Sequence, residues 1–312
     1  MRKFFLVALA LTALALSACA SGSRAPRPDI HGMISRVEHG GNVAYIFGSM
    51  HSGRANWFPL NPAVEEAMAR ADVFAFEVDM ALMESPEVLM RTQQLIMLPP
   101  GTQLRDVLSD EGYARLTRNI GTFPNVRYEH IAGFTPMGAL FVITIVEMMD
   151  IMGTQTQYSV DDYVHRRALA SGKPVIGLND IFRELDLAYG TPMELQREAF
   201  DDFEDFRAMS EAVADLALAE AYAAQDVARL RAALDAGMPA DSDSALAQHL
   251  HHVNFDVRCN IFADEIARLL RETAEPTTFF ITVGIGHLVS GGHGQVLDLL
   301  EGMGFEVEPL WK

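Results

Sequence analysis

The chain has 312 residues, 49% of them hydrophobic, which is enough for one large domain or two small ones. Its acidic residues outnumber the basic ones by 42 to 24, so the formal net charge is −18 at pH 7. This charge argues against binding to nucleic acid and against electrostatic adhesion to anionic lipid.

Residues 1–18 have the layout of a signal peptide. A short basic start, Arg2 and Lys3, precedes an apolar run from Phe4 to Leu16 that is too short to span a bilayer. The run ends in Leu16-Ser17-Ala18-Cys19, which resembles the site at which bacterial lipoproteins are cleaved and acylated. The alternative is an ordinary secretory signal followed by an incidental cysteine.

An acylated Cys19 would anchor the protein in a membrane. Ala20 is not the aspartate that usually retains such lipoproteins at the inner membrane, so the analogy favours the outer membrane, facing the periplasm. Residues 19–31 then form the lipidated cysteine and a flexible tether, and residues 32–312 form one domain. Cys259 is the other cysteine, so no intrachain disulfide is expected and a buried structural thiol is favoured.

The first predicted unit of the domain has strand, helix and strand in that order. Val43 to Phe47 is apolar and β-prone, Pro62 suits the first turn of a helix that runs to about Ala71, and Asp72 to Asp79 reads as a second strand. This spacing is typical of a βαβ unit and predicts parallel pairing.

The middle of the chain is predicted to be mainly helical, and strands return near the end. The predicted helices cover Pro86 to Leu98, Ser109 to Asn119, Pro136 to Met152, Asp161 to Ala170, Thr191 to Leu234 and Ser244 to Glu272. Lys173 to Asn179, Thr278 to Gly284 and the final residues Phe305 to Leu310 read as strands, and Gln295 to Gly302 as a helix. The predicted fold class is α/β: a central, mostly parallel sheet from the N- and C-terminal strand groups, with a large helical insertion.

Two histidines follow predicted strands in the same way. His51 lies three residues after Gly48, and His287 lies three residues after Gly284, each glycine being at the end of an apolar strand. Open α/β sheets bind their ligands beyond the carboxyl ends of their strands. We therefore expect the two histidines to share one cleft, although each alone could be a structural histidine.

A glutamate in the second predicted strand completes the candidate site. Glu77 lies among apolar residues, where a carboxylate is costly to bury unless it is paired or binds a metal. Asp79 would point to the same face of that strand. Two histidines with one or two carboxylates suit a divalent transition metal such as Mn, Co or Zn; without metal, a histidine base oriented by glutamate could activate water.

These motifs resemble those of the TraB/PrgY/GumN family, which is related to the Tiki-type membrane proteases and to the erythromycin-esterase/ChaN-like superfamily. The N-terminal family motif matches Gly48, Ser49, His51, Pro59, Glu77 and Asp79. The C-terminal motif matches Gly284, His287, Leu288, Phe305 and Val307. The resemblance extends from about Gly32 to Leu310.

The middle of the chain follows the family pattern more loosely. Asp161 matches a family aspartate, and Arg258 matches a helical arginine. Asn179 stands where the family usually has glutamate, which removes a charge, and Cys259 stands where it has asparagine.

The resemblance implies a lipid-anchored envelope hydrolase, metal-dependent and acting on peptide bonds. His51, Glu77 and His287 would be the metal ligands and catalytic groups, supported by Gly48, Gly284, Asp79, Arg258 and Asp161. The alternative is a non-catalytic envelope accessory protein that binds a peptide or an exopolysaccharide component. Two structural alternatives also stay open: a buried ion pair between Glu77 and Arg258, and an exposed polar face, rather than a second metal site, for His249, His252 and Asp256.

Overall fold

The structure, a computed structural model, describes residues 33–121, 126–201, 218–237, 243–289 and 295–310. The predicted signal peptide, Cys19 and the tether lie outside the described residues. Among the described helices, none is both long and apolar enough to cross a bilayer.

A six-stranded mixed sheet forms the centre of the fold. Its strand order is β4-β3-β5-β2-β1-β6, in which the β4/β3, β3/β5 and β5/β2 pairs are parallel and the β2/β1 and β1/β6 pairs are antiparallel. The strands are β1 Ile34–His39, β2 Asn42–Ser49, β3 Val73–Phe76, β4 Val175–Gly177, β5 Thr278–Gly284 and β6 Val307–Pro309. The predicted α/β fold class is confirmed.

Fifteen α-helices are described, and all but the first and the last two lie between β3 and β5. They are α1 Pro62–Arg70, α2 Pro86–Ile96, α3 Leu104–Val107, α4 Asp110–Ile120, α5 Tyr128–Ile131, α6 Pro136–Met152, α7 Val160–Ser171, α8 Ile181–Tyr189, α9 Met193–Asp201, α10 Leu218–Ala224, α11 Val227–Gly237, α12 Ala245–His251, α13 Arg258–Glu272, α14 Gly286–Val289 and α15 Val296–Gly302. Several begin at a side chain that caps the first backbone N–H groups, as Asn61 does for α1, Ser159 for α7 and Asp180 for α8.

The main hydrophobic core covers the sheet. Phe280 of β5 contacts the rings of Phe47 and Phe74 on its two neighbouring strands, with centroids 5.6 and 5.8 Å apart. Helix α13 buries one face on this core, including Cys259 and Phe262. A second cluster of buried apolar residues, among them Leu116, Ile131 and Phe200, lies within the helical insertion.

The strand β1 was not among the predicted elements. It forms a hairpin with β2 through Gly40 and Gly41, which have φ values of 60° and 95°. Glycine accepts this left-handed backbone without a steric penalty, so a two-glycine turn between β-prone runs was the available signal.

Several predicted elements need correction. The strand that was predicted to reach Asp79 ends at Phe76, so Glu77 and Asp79 lie beyond it. Strand β5 lies between β2 and β3, so the two strands of the predicted βαβ unit run parallel without pairing directly. The long helix predicted from Ser244 contains a π-helical segment, His252–Val257. The helix α8 was not predicted at all.

Candidate active site

The two Gly-x-x-His segments leave the sheet side by side. Strands β2 and β5 are parallel neighbours, and their register pairs Gly48 with Val283 and Ser49 with Gly284. The Tyr222 hydroxyl donates a 2.8 Å hydrogen bond to the Gly48 carbonyl and so holds the end of β2. His51 and His287 therefore emerge from the same edge of the sheet, as the sequence predicted.

The side chains converge on Gly284. A Cβ atom placed on this glycine would lie 3.2 Å from Glu77 Oε1, 3.7 Å from His287 Cδ2 and 3.8 Å from His51 Nε2. A side chain at this position would fill the space between the three groups, so the glycine keeps the cleft open. The structure thus brings together the three residues that sequence analysis singled out.

Glu77 is held by partners on both of its oxygens. Its Oε1 accepts a 2.6 Å hydrogen bond from the Gly284 N–H and lies 3.8 Å from His287 Nε2, while its Oε2 accepts a 2.8 Å bond from Arg258. Burial alone would raise the pKa of this carboxyl, but His287, Arg258, His51 and the Gly284 N–H outweigh burial and lower it. Glu77 is therefore ionised at neutral pH.

His51 lies at the open side of the cleft, bound to Asp161. Its Nδ1 is 3.0 Å from Asp161 Oδ2, and the Ser49 hydroxyl donates a 2.5 Å bond to Asp161 Oδ1. The charge of Asp161 and its hydrogen bond with His51 raise the pKa of His51 to about 9. The His51 side chain is 76% exposed, so water screens the ion pair and its contribution to folding stability is small.

His287 is buried and nearly uncharged by comparison. Its side chain is 8% exposed, its Nδ1 lies 3.3 Å from Cys259 Sγ, and its ring packs edge-on against Phe262. Burial lowers the pKa of His287 to about 4, against the opposing effect of Glu77. Burial also raises the pKa of Cys259 to about 12, so the thiol is protonated.

Arg258 joins two carboxylates from different parts of the chain. It donates to Glu77 and, at 2.5 Å, to Glu184 Oε1, and it also bonds Asn254 Oδ1 at 3.1 Å. Its Nε is buried without a hydrogen-bond partner among the described residues. The ion pair between Glu77 and Arg258 is therefore present, and it lies within the site.

Glu184 is the site residue that sequence reasoning missed. It lies on α8, and Asn179 donates a 2.8 Å hydrogen bond to its Oε2. Burial raises the pKa of Glu184, although Arg258 opposes this. Asn179 therefore holds a carboxylate that lies five residues later in the chain and pairs with Arg258. Only a prediction of α8, with Asp180 as its cap, could have pointed to this residue.

Asp79 does not share a face with Glu77, because the strand that would have aligned them ends at Phe76. The Asp79 carboxylate instead accepts a 3.0 Å hydrogen bond from Ala81 N and caps a short 3₁₀ helix, Met80–Leu82.

The candidate second metal site spans the end of α12 and the π-helical segment, and its His252 is a surface residue. His252 pairs with Asp256 at 3.0 Å, and its side chain is 63% exposed. Within the described ranges, no group of three or more His, Cys, Asp or Glu side chains has the arrangement of a preformed metal site. Metal binding by His51, Glu77 and His287 therefore stays a prediction and would require small side-chain movements.

Comparisons with known proteins agree with the motifs. Neither the curated proteins nor the solved structures include a significant match to this chain. A family model that describes the TraB/PrgY/gumN family matches residues 33–309, which includes both Gly-x-x-His segments, Glu77 and Arg258. On this match over most of its length, the chain belongs to the TraB/PrgY/gumN family.

Proposed function

We propose that the protein is a metal-dependent hydrolase of peptide bonds, anchored by a lipid in the bacterial envelope. The observation that carries the proposal is the convergence of His51, His287 and Glu77 on the open space at Gly284. Two imidazoles and a carboxylate at the carboxyl ends of neighbouring strands are the arrangement that such chemistry needs.

The three residues fit a divalent transition metal such as Mn, Co or Zn. His51 and His287 would supply Nε2, and Glu77 would supply Oε1, which lies 3.8 Å from His287 Nε2. Two ligands that share one ion at about 2.1 Å lie roughly 3–3.5 Å apart, so a small movement closes the gap. When bound, the ion would polarise a scissile carbonyl and lower the pKa of a water molecule.

The neighbouring residues prepare each ligand. Asp161 holds Nδ1 of His51, which leaves Nε2 towards the cleft, as carboxylate partners do for metal-binding histidines. Because the pKa of His51 is raised to about 9, metal binding must displace a proton and is favoured as the pH rises. His287 is neutral at neutral pH and gives up no proton when it binds.

Glu77 has an alternative role to metal ligation, as a base. Arg258 occupies its Oε2, so Oε1 is the oxygen that faces both histidines. In that role this oxygen would orient the attacking water and accept its proton, in place of binding the ion. Arg258 and the Gly284 N–H keep the carboxylate ionised for that purpose.

The test is hydrolysis of unstructured peptides by the full chain, with Mn, Co and Zn supplied in turn. The proposal predicts cleavage that a chelator abolishes and that one added metal restores. Asp79→Asn, which alters a carboxylate close in sequence but outside the cleft, is the control and should retain activity. Peptide binding without cleavage under every metal would favour a non-catalytic accessory protein instead.

The lipid anchor has its own test. Cys19→Ser should release the protein from membranes or block its processing, because an acyl chain is the proposed membrane contact. Fractionation with an alkaline wash measures this. A Cys19→Ser protein that stays bound to the membrane after the wash would contradict the anchor.

A further inference from the structure

A groove without charged residues lies at the C-terminal end of α8, the helix that carries Glu184. It has a volume of about 710 Å³ and runs between α2, the segment that follows α2, and the connection from α8 to α9. Its lining includes Met90, Gln93, Met97, Pro99, Thr191 and Met193, and none of the described residues that line it carries a charge. In a chain with a net charge of −18, an uncharged groove selects an uncharged occupant.

The groove is connected to the candidate active site through α8. This helix carries Glu184, which binds Arg258, and ends at Tyr189, which lines the groove. Tyr189 follows Glu184 by five residues on this helix, a separation of about 7.5 Å along the helix axis. The Tyr189 end of the groove therefore lies close to the ion pair between Glu184 and Arg258.

One polar group in the lining lacks a partner. Thr191 is 4% exposed, and its hydroxyl has no hydrogen-bond partner among the described residues. A buried hydroxyl without a partner costs free energy, and a ligand that supplies a donor or acceptor removes that cost. A peptide backbone offers such groups at every residue, whereas the hydrocarbon part of an acyl chain offers none.

The rim of the groove is apolar and exposed. The Met90 residue is 57% exposed on α2, and Phe141 of α6, 45% exposed, packs edge-on against the Tyr189 ring at 5.5 Å. Flexible methionine side chains adapt to different apolar partners, so this lining suits a range of apolar side chains rather than one shape.

We infer that this groove binds an extended, uncharged and apolar segment of the peptide substrate, next to the bond that is cleaved at Glu77. The inference rests on the proposed function, because cleavage at Glu77 is what would bring a peptide bound in the groove to the cleft. It assigns the substrate class: peptides with an apolar stretch that is free of acidic and basic side chains.

Binding can be measured separately from cleavage. The probes are two pools of fluorescent eight-residue peptides with blocked ends, one of Ala, Leu, Met, Phe and Gln only, and one with aspartate at alternate positions. Anisotropy with the full chain should give binding of the uncharged pool that is about tenfold or more tighter. Met90→Glu should weaken this binding about tenfold, and Thr191→Val should weaken it about threefold.

Leu169→Glu is the matched control. Leu169 is an exposed apolar residue of α7, 58% exposed against 57% for Met90, and it does not line the groove. It should leave binding unchanged. Binding that survives both Met90→Glu and Thr191→Val, or a groove that takes dodecanol but no peptide, would overturn the inference.

The same experiment separates the two proposals. If the uncharged pool binds through Met90 and is never cleaved with any metal, the hydrolase proposal fails and the peptide groove stands. If peptides are cleaved through Glu77 but Met90→Glu changes neither their Kd nor their KM, the hydrolase stands and the groove does not.

Discussion

The His51 segment and the His287 segment share one sequence motif, but their histidines are in opposite electrical states. Each is a glycine at the end of a parallel strand followed three residues later by a histidine, and the strands are neighbours. Yet the pKa of His51 is raised to about 9 beside Asp161, while burial lowers the pKa of His287 to about 4.

The difference comes from the helices that cover each segment. Helix α7 brings a carboxylate to the exposed His51, and α13 brings Cys259 and Phe262 to the buried His287. At neutral pH one histidine is a cation and the other is neutral, with the ionised Glu77 near both. The motif therefore sets where each histidine lies, and the insertion sets its charge.

The largest expected effect is at Glu77, which lies near both histidines. Glu77→Gln keeps the volume and removes the charge, so it should reduce kcat/KM by about two to four orders of magnitude, the scale for a catalytic acid or base. Folding should change little, because Arg258 keeps its pairing with Glu184. Peptide hydrolysis and thermal unfolding are the measurements.

Glu184→Gln is the matched variant, since it removes the other carboxylate on Arg258. It should cost much less activity than Glu77→Gln. A structural ion-pair role for Glu77 predicts a different outcome. The two variants would then lose similar activity, and each would lose about 3–5 kcal/mol of folding stability, as expected for a broken buried pair. A second substitution, Arg258→Met, would restore that stability. A stable and fully active Glu77→Gln would refute both roles.

Loss of the pair between His51 and Asp161 should have the next largest effect. Asp161→Asn removes the charge that raises the pKa of His51, so that pKa should fall from about 9 towards its ordinary value. Loss of such a partner typically costs about 10–100-fold in metal affinity or activity. NMR titration of the His51 ring and hydrolysis assays check this.

Asp162→Asn changes the next residue, which pairs with Arg166 on the surface of α7. It should leave both the His51 titration and the activity as they are. An unchanged His51 titration in Asp161→Asn would show that the difference between the pKa values of His51 and His287 has another cause.

The effect of His287 on folding stability should appear as the pH falls. A histidine whose pKa is lowered to about 4 binds its proton more readily in the unfolded state, so its stabilising effect is present above about pH 6.5 and is lost as the pH falls towards 4. Between about pH 7 and pH 5 the loss is about 2 kcal/mol.

Urea unfolding of wild type and His287→Gln at the two pH values measures this loss. The variant lacks the titrating group, so its free energy of unfolding should fall less than that of the wild type. Equal losses in the two proteins would mean that His287 is not the group responsible. Glu77 and Asp161, whose pKa values are lowered, act only in stronger acid.

Local motifs made β2, β5 and both histidines predictable. An apolar run that ends in glycine marks the end of a strand, and parallel strands end at one edge of a sheet. The position of Glu77 was also predicted, although its strand neighbour was not: β5 inserts between β2 and β3. That order depends on long-range pairing, which no local pattern encodes.

The partners of the site residues were harder to predict. Glu184 reaches Arg258 because α8 packs beside the site. This helix is short and amphipathic, and its main start signal is a capping aspartate. The contact between Cys259 and His287 depends on how α13 packs on the sheet. Such contacts follow from tertiary packing, so the sequence pointed to the two histidines and Glu77 but not to Glu184 or to the charge of each histidine.

The smallest expected effect is at Cys259. The protonated thiol is a weak hydrogen-bonding partner for His287 Nδ1. Cys259→Ser replaces it with a stronger one of similar size, so kcat/KM should change by less than about tenfold. A loss as large as that of Glu77→Gln would show that the thiol takes a direct part in the reaction.

Metal content tests the central claim, that both histidines serve one metal site, most directly. The full chain, His51→Ala and His287→Ala should each be loaded with Mn, Co and Zn in turn, freed of excess ion and analysed by mass spectrometry. The account predicts one ion per wild-type chain for at least one metal, and loss of that ion in either variant. Wild type without metal under every condition, or metal that survives both substitutions, would contradict it.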